Sequence, residues 1–261
     1  MKKAFLLCTC VSILSLNCAN STVKETAIQL EEIQGNVLLD GIETKIFEAF
    51  VQANINKKPT ALQELKKELD DMASRTPNQL ITYWQSYLRY YLSIFHMTQN
   101  QEETAEKEID EAVDLMDGIK NKNTEDYALL ALTQSFSIQF KGFRAMFISS
   151  AIKKNGKRSL SLEPKNIRAY FVLASNDFYT PEKYGGGEQA EGYLLKAISL
   201  PDQLNKNPYT PSWGKQEAYE LLVKHYMKTD QRDRARTYCK EGIALYPDNY
   251  GLGKLAIKLL D

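Results

Sequence analysis

The residues whose types and spacing come closest to a chemical motif are Tyr184-Gly185-Gly186-Gly187-Glu188-Gln189-Ala190. They fit G-x-G-x-x-[GA], a loop whose glycines let backbone amides approach a dinucleotide pyrophosphate. That chemistry needs a strand running into the first glycine and a helix after the third. Phe171 to Phe178 has helical spacing instead, and Thr180-Pro181-Glu182-Lys183 separates it from the glycines. No Lys-Ser/Thr pair follows, as a nucleoside-triphosphate loop would require. The glycines therefore read as a lengthened turn between two helices, where positive φ is tolerated. A second reading has the backbone N–H groups of the Gly185–Gly187 loop hold an anion at the start of the next helix.

Other reactive side chains are sparse. His96 and His225 are the two histidines, both set in helical patterns, and no closely spaced His/Cys group suggests a metal site. Cys239 has the spacing of an apolar packing residue. Ser150 and Lys153 make S-x-x-K, but the S-D-N and K-T-G elements that accompany it in serine β-lactamase-type enzymes are absent. Glu102-Glu103, Asp110-Glu111 and Asp114 lie among lysines on polar helix faces and read as solvated. The expectation is a protein with no catalytic residues, no cofactor and no metal, hence not an enzyme. Tyr83, Trp84, Tyr87, Tyr90, Tyr91 and Phe95 are more concentrated. Positions 84, 87, 91 and 95 form one core stripe; Tyr83 and Tyr90 fall on a different face that could line a groove.

The elements that must position these residues are helices. Apolar residues recur every three to four positions in Ala61-Leu62-Leu65-Leu69-Met72, in Ile109-Ala112-Val113-Leu115-Met116 and in Tyr219-Leu222-Val223-Tyr226. Breaks rich in Asn, Asp, Gly and Pro separate them: 54–59, 76–77, 121–123, 164–166 and 201–211. The 261 residues carry a net charge of zero, which gives no basic excess for nucleic-acid binding.

The N-terminus reads as a secretory signal. Lys2 and Lys3 precede an apolar run from Ala4 to Leu16, and Ala19-Asn20-Ser21 supplies small residues for cleavage. Removing residues 1–21 would take the charge from zero to −2. The alternative is a bacterial lipoprotein anchored through Cys18. Three of the four cysteines lie in or beside this segment, so Cys239 has no partner for an internal disulfide. Residues 22–36 form a leader of weaker periodicity, and 37–261 form the folded domain.

The C-terminal part carries the clearest repeat. Tyr219, Leu222 and Tyr226 are followed by Ala235, Cys239, Gly242 and Pro247. Counted from Gln216, these residues resemble a tetratricopeptide repeat, in which two antiparallel helices cross closely where small residues lie. Tyr170, Leu173 and Ala174 with Ala190, Leu194 and Ala197 match it once a few inserted residues are allowed, as do Trp84 and Leu88 with Ala105, Ile109 and Ala112. Tyr127, Leu130 and Ala131 begin a further, longer hairpin that closes at Pro164, and 37–75 form a degenerate first one. The resemblance implies an all-α, right-handed solenoid of about five irregular hairpins with a C-terminal capping helix.

Together with the signal, "TPEKYGGGEQA" and Trp213-Gly214 resemble elements of small bacterial periplasmic tetratricopeptide proteins. The T component of TRAP transporters has a comparable Gly-rich element. Such proteins bind partners on the concave face. Carried over by position, that face would hold Gln85, Arg89, Arg168, Phe171, Phe178, Glu217, Glu220 and Lys224. The implied function is a non-enzymatic adaptor for proteins or peptides in the cell envelope, periplasmic or secreted, touching membrane only through an anchor on Cys18. The alternative is the ligand-binding subunit of a periplasmic transport system.

Overall fold

A computed structural model describes residues 31–202 and 207–260; residues 1–21, which read as a signal, and Cys18 lie outside them. Eleven complete α-helices fall within the described residues: α1 (Ile42–Asn56), α2 (Thr60–Arg75), α3 (Gln79–Thr98), α4 (Glu102–Gly118), α5 (Thr124–Ser137), α6 (Ala145–Leu162), α7 (Ile167–Tyr179), α8 (Ala190–Ser199), α9 (Lys215–Lys228), α10 (Arg232–Leu245) and α11 (Tyr250–Leu260). No strand occurs among the described residues. None of their helices is long and apolar enough to cross a membrane.

The breaks act as helix caps. The side chain of Asn78 accepts from Leu80 N at the start of α3, and that of Asn166 accepts from Ala169 N at the start of α7. Asn123 and Asp126 form a reciprocal capping box at the start of α5. In each case an asparagine satisfies amides that the helix itself leaves unpaired. Asn100 and Asp230 take the left-handed conformation in the tight turns α3–α4 and α9–α10, at φ 59° and 55°.

The odd-numbered helices touch one another in succession and form an inner row. Each of α2, α4, α6, α8 and α10 packs between two of them on the outside. The result is the expected all-α solenoid: five hairpins closed by α11. Small residues set the close crossings. Ala105 and Ala112 are buried where α4 meets α3, and the hydroxyls of Ser93 and Ser86 donate to their carbonyls at 2.6 and 2.9 Å. A Cβ on Gly242 would sit 3.0 Å from Leu252 and 3.3 Å from Tyr219, so α10 packs there without spare room. Tyr219, Leu222, Tyr226, Ala235 and Cys239 are all buried, as the repeat pattern requires.

The inserted residues are accommodated in three ways. In the second hairpin α3 runs for 20 residues. In the third, two 3₁₀ turns, Ile138–Phe140 and Gly142–Arg144, precede α6. In the fourth, the 3₁₀ turn Glu182–Tyr184 and the glycines precede α8.

Two apolar cores follow the chain, one from α1 to α7 and one from α7 to α11. Trp213 is the exception. It lies beside α9 in sequence but is buried in the first core. Ile33, within the leader, is buried there too.

Candidate binding site

The glycine loop is built around Asp177. Gly185 and Gly187 have φ of 77° and 89°, and a Cβ on Gly186 would lie 1.9 Å from the Thr180 carbonyl oxygen. All three positions therefore call for glycine. Gly187 N donates to the Asp177 carbonyl at 2.9 Å, and Gln189 N and Ala190 N donate to its carboxylate at 2.8 Å each. The amides of the Gly185–Gly187 loop are thus given to the carbonyls of Glu182, Pro181 and Asp177, and those at the start of α8 to the Asp177 carboxylate.

The predicted partner-binding residues separate into three groups. Gln85 and Arg89 turn outward. Gln85 donates to Asp70 on α2 at 2.6 Å, while Arg89 pairs with Glu108 at 2.8 Å and with Glu111, both on α4. Glu220, Lys224 and Phe178 lie toward the C-terminal end. Glu220 pairs with Lys224 beside Gly251, and the Phe178 ring has Lys228 Nζ 5.0 Å from its centroid. Arg168, Phe171 and Glu217 come together at the centre, around a segment that the repeat pattern did not anticipate.

That segment is 207–214, which crosses the inner row from the fourth hairpin to the first. Gly41 N donates to the Pro208 carbonyl at 3.2 Å, and Gly35 N donates to the Tyr209 hydroxyl at 2.8 Å. Trp84 Nε1 donates to the Tyr209 carbonyl at 2.9 Å. Ser212 gives its N–H and its hydroxyl to the two oxygens of Glu43, at 2.6 and 3.0 Å. Trp213 Nε1 donates to the Tyr83 hydroxyl at 2.9 Å, and Arg168 Nη1 donates to the Trp213 carbonyl at 3.2 Å. Arg168 is itself held by Glu125, whose carboxylate takes both Nε and Nη2. Glu217 accepts from Gly214 N at 2.6 Å and closes the segment onto α9.

Aromatic rings continue outward from this strap. Trp213 stacks on Tyr87 at 5.9 Å and meets the edge of Phe171 at 6.3 Å. Tyr87 touches Tyr90 and Tyr91; Tyr90 meets Phe136 on α5, and Tyr91 meets Phe47 and Phe50 on α1. Such edge and stacked pairs hold rings without leaving their faces wet. Tyr90 and Tyr91 are only half-buried, and Phe47 is exposed, so the wall continues where the strap stops. Tyr83 and Tyr90, the pair on a separate face of the α3 pattern, sit under the strap and beside it.

The electrostatics follow burial. Desolvation pushes Tyr83, Tyr87, Tyr90 and Tyr91 well above the usual phenol range, so their hydroxyls stay protonated. Glu217 is pushed up to about 7 by burial, against the lowering effect of the Gly214 amide. Glu43 is raised by the same cause and partly restored by Ser212. The ring wall is thus uncharged, with the carboxylates of Glu43 and Glu217 close to Tyr87.

No protein-family model and no curated protein sequence matches this chain. Among solved structures it is similar to the HusA haemophore from Porphyromonas gingivalis. That likeness has 22% identity and a TM-score of 0.50, and covers 75% of this chain and 96% of that one. The chain also aligns with YrrB, a tetratricopeptide-repeat protein with an unusual peptide-binding site, at 14% identity and a TM-score of 0.36, over 88% of this chain and 98% of that one. The first likeness agrees with the helical-repeat fold.

Proposed function

We propose that the chain is a non-enzymatic binding protein of the bacterial envelope that takes an extended protein or peptide segment on its inner face. One observation carries this reading: a stretch of the chain's own backbone already lies there. The strap turns at 207–210 and again at Gly214, and between those turns it is held by an aromatic anchor, Trp213, against Tyr87, with the Ser212 amide and the Trp213 carbonyl paired to side chains of the inner row. A partner segment with aromatic or apolar residues would continue along Tyr90, Tyr91 and Phe47, where the same wall is uncovered. Secretion rests on the signal-like residues 1–21, with the anchor on Cys18 as the alternative; labelling with palmitate separates the two.

The test is a photo-crosslinking residue in place of Phe47, in cells that make the protein. The expected result is a discrete adduct with an envelope protein, lost when Tyr91→Ala is added. No adduct beyond that seen with the same residue at the exposed Tyr250 overturns the reading.

A second reading is a flat apolar small molecule, carried as a transport component would carry it. The wall of aromatic rings favours it, and the similar solved structure is a haemophore. Because burial keeps the phenols protonated, a haem here would be held first by stacking rather than by a preformed phenolate. Titration with haemin decides: a saturable shift of its main absorption band, weakened by Tyr91→Ala, favours this occupant over a peptide.

A further inference from the structure

The outer face of α6 differs from the rest of the molecule. Phe143, Met146 and Phe147 are 87%, 67% and 67% exposed, at the turn that leads into the helix and in its first residues. Further along, Lys154, Lys157 and Arg158 are also exposed. Successive side chains at three- and four-residue spacing place all six along one side of the helix. From Lys141 to Leu162 there are six Lys or Arg and no Asp or Glu, in a chain whose overall charge is zero. Lys141 is neutralised by Glu106 and Asp110 on α4. Among the described residues, Lys153, Lys154, Lys157 and Arg158 form no ion pair. The ridge therefore has an apolar tip and an unneutralised cationic stem.

We propose that this ridge docks on an anionic phospholipid surface, independently of the inner-face site and of any acyl chain on Cys18. The shape argues for lipid over protein. α6 belongs to the outer row, so its exposed side is convex, and the rings protrude singly instead of lining a groove. A fluid acyl phase receives protruding rings without a complementary shape, whereas a protein partner would have to supply one. The charge argues for anionic headgroups. Lys154 lies about 10 Å along the axis from Phe147 and Arg158 about 16 Å, so a helix lying in the interface would seat its rings while the cations meet phosphates.

The local test replaces Phe143 with Trp in the full chain and follows its emission. The native Trp84 and Trp213 are buried in the core and supply a constant background. With vesicles of phosphatidylcholine and phosphatidylglycerol, the F143W indole should shift to the blue and be quenched by brominated acyl chains. With phosphatidylcholine alone it should respond weakly. Adding K154E and K157E should weaken the response about tenfold, and raised salt should do the same. Tyr250→Ser, which removes an exposed ring elsewhere, should leave it unchanged. Because the probe sits on the ridge, binding through the N-terminal segment does not produce the signal. A water-like F143W emission at saturating anionic lipid overturns the proposal, as does a blue shift that the charge reversals leave intact. So does a ridge that responds only to an acidic protein.

Discussion

Trp213 joins parts of the chain that repeat packing alone would leave apart. Its ring stacks on α3 and meets α7 edge-on, its indole N–H reaches Tyr83, and its carbonyl receives Arg168. It is 3% exposed, so truncation leaves a cavity and strips Tyr83 of its donor. Trp213→Ala should cost about 3–5 kcal/mol in denaturant unfolding, the range for large buried aromatics. Trp213→Phe keeps most of the packing and loses the hydrogen bond, so it should cost about 1–2 kcal/mol. Equal losses for the two would mean that the ring does not carry the contact. None of this was legible in the sequence. Trp213-Gly214 stood out as a family element, but Tyr83, the partner of Trp213, and Glu43, the partner of Ser212, are more than a hundred residues away, and local spacing holds no record of such pairs.

At the scale of elements, legibility depended on the range of the pattern. The last hairpin could be read because its signal repeats within single helices: Tyr219, Leu222 and Tyr226 on α9, Ala235, Cys239 and Gly242 on α10. Ala235→Arg tests that register. The side chain is wholly buried against α9, so a long cation there must either desolvate or force the helices apart. The expected outcome is loss of protection from amide exchange in α9, α10 and α11, with α3 to α5 retained; unchanged thermal stability would refute the register. In α3 the same approach gave a different face. Gln85 and Arg89 follow the repeat's concave positions, yet they meet carboxylates of α2 and α4. The inner side of α3 is marked by Tyr87, Tyr90 and Tyr91, whose rings find partners on α1, α5 and the strap. Here side-chain chemistry was the better guide: three acids on neighbouring helices draw Arg89 outward, and the rings pack against α1, α5 and the strap.

At the scale of the whole molecule, three carboxylates sit where folding removes water from them. Asp126 and Glu217 are pushed up to about 7, and Glu43 is raised as well, in each case chiefly by burial. The folded state therefore holds protons that the unfolded state has released between the ordinary carboxylate range and about 7. Stability should be greatest at the acid end of that window and fall as pH rises through it. His225 opposes this, since burial lowers its pKa and costs stability as pH falls through its usual 6.5. With three groups against one, the melting temperature should be higher near about pH 5.5 than near about pH 8, and Asp126→Asn with Glu217→Gln should flatten the difference. A profile that rises with pH would contradict the burial of these acids.

A solenoid built from nearest-neighbour contacts can gain or lose a repeat and remain folded, because each interface resembles the last. The strap removes that freedom here. Ser212 must reach Glu43 and Trp213 must reach Tyr83, so the number of hairpins between them is set by the length of an eight-residue span. Insertion of one more consensus hairpin between α4 and α5 would carry the first two hairpins out of reach and leave Glu43 and Tyr83 without their donors. The array is a closed frame whose span is tied to the reach of its own strap.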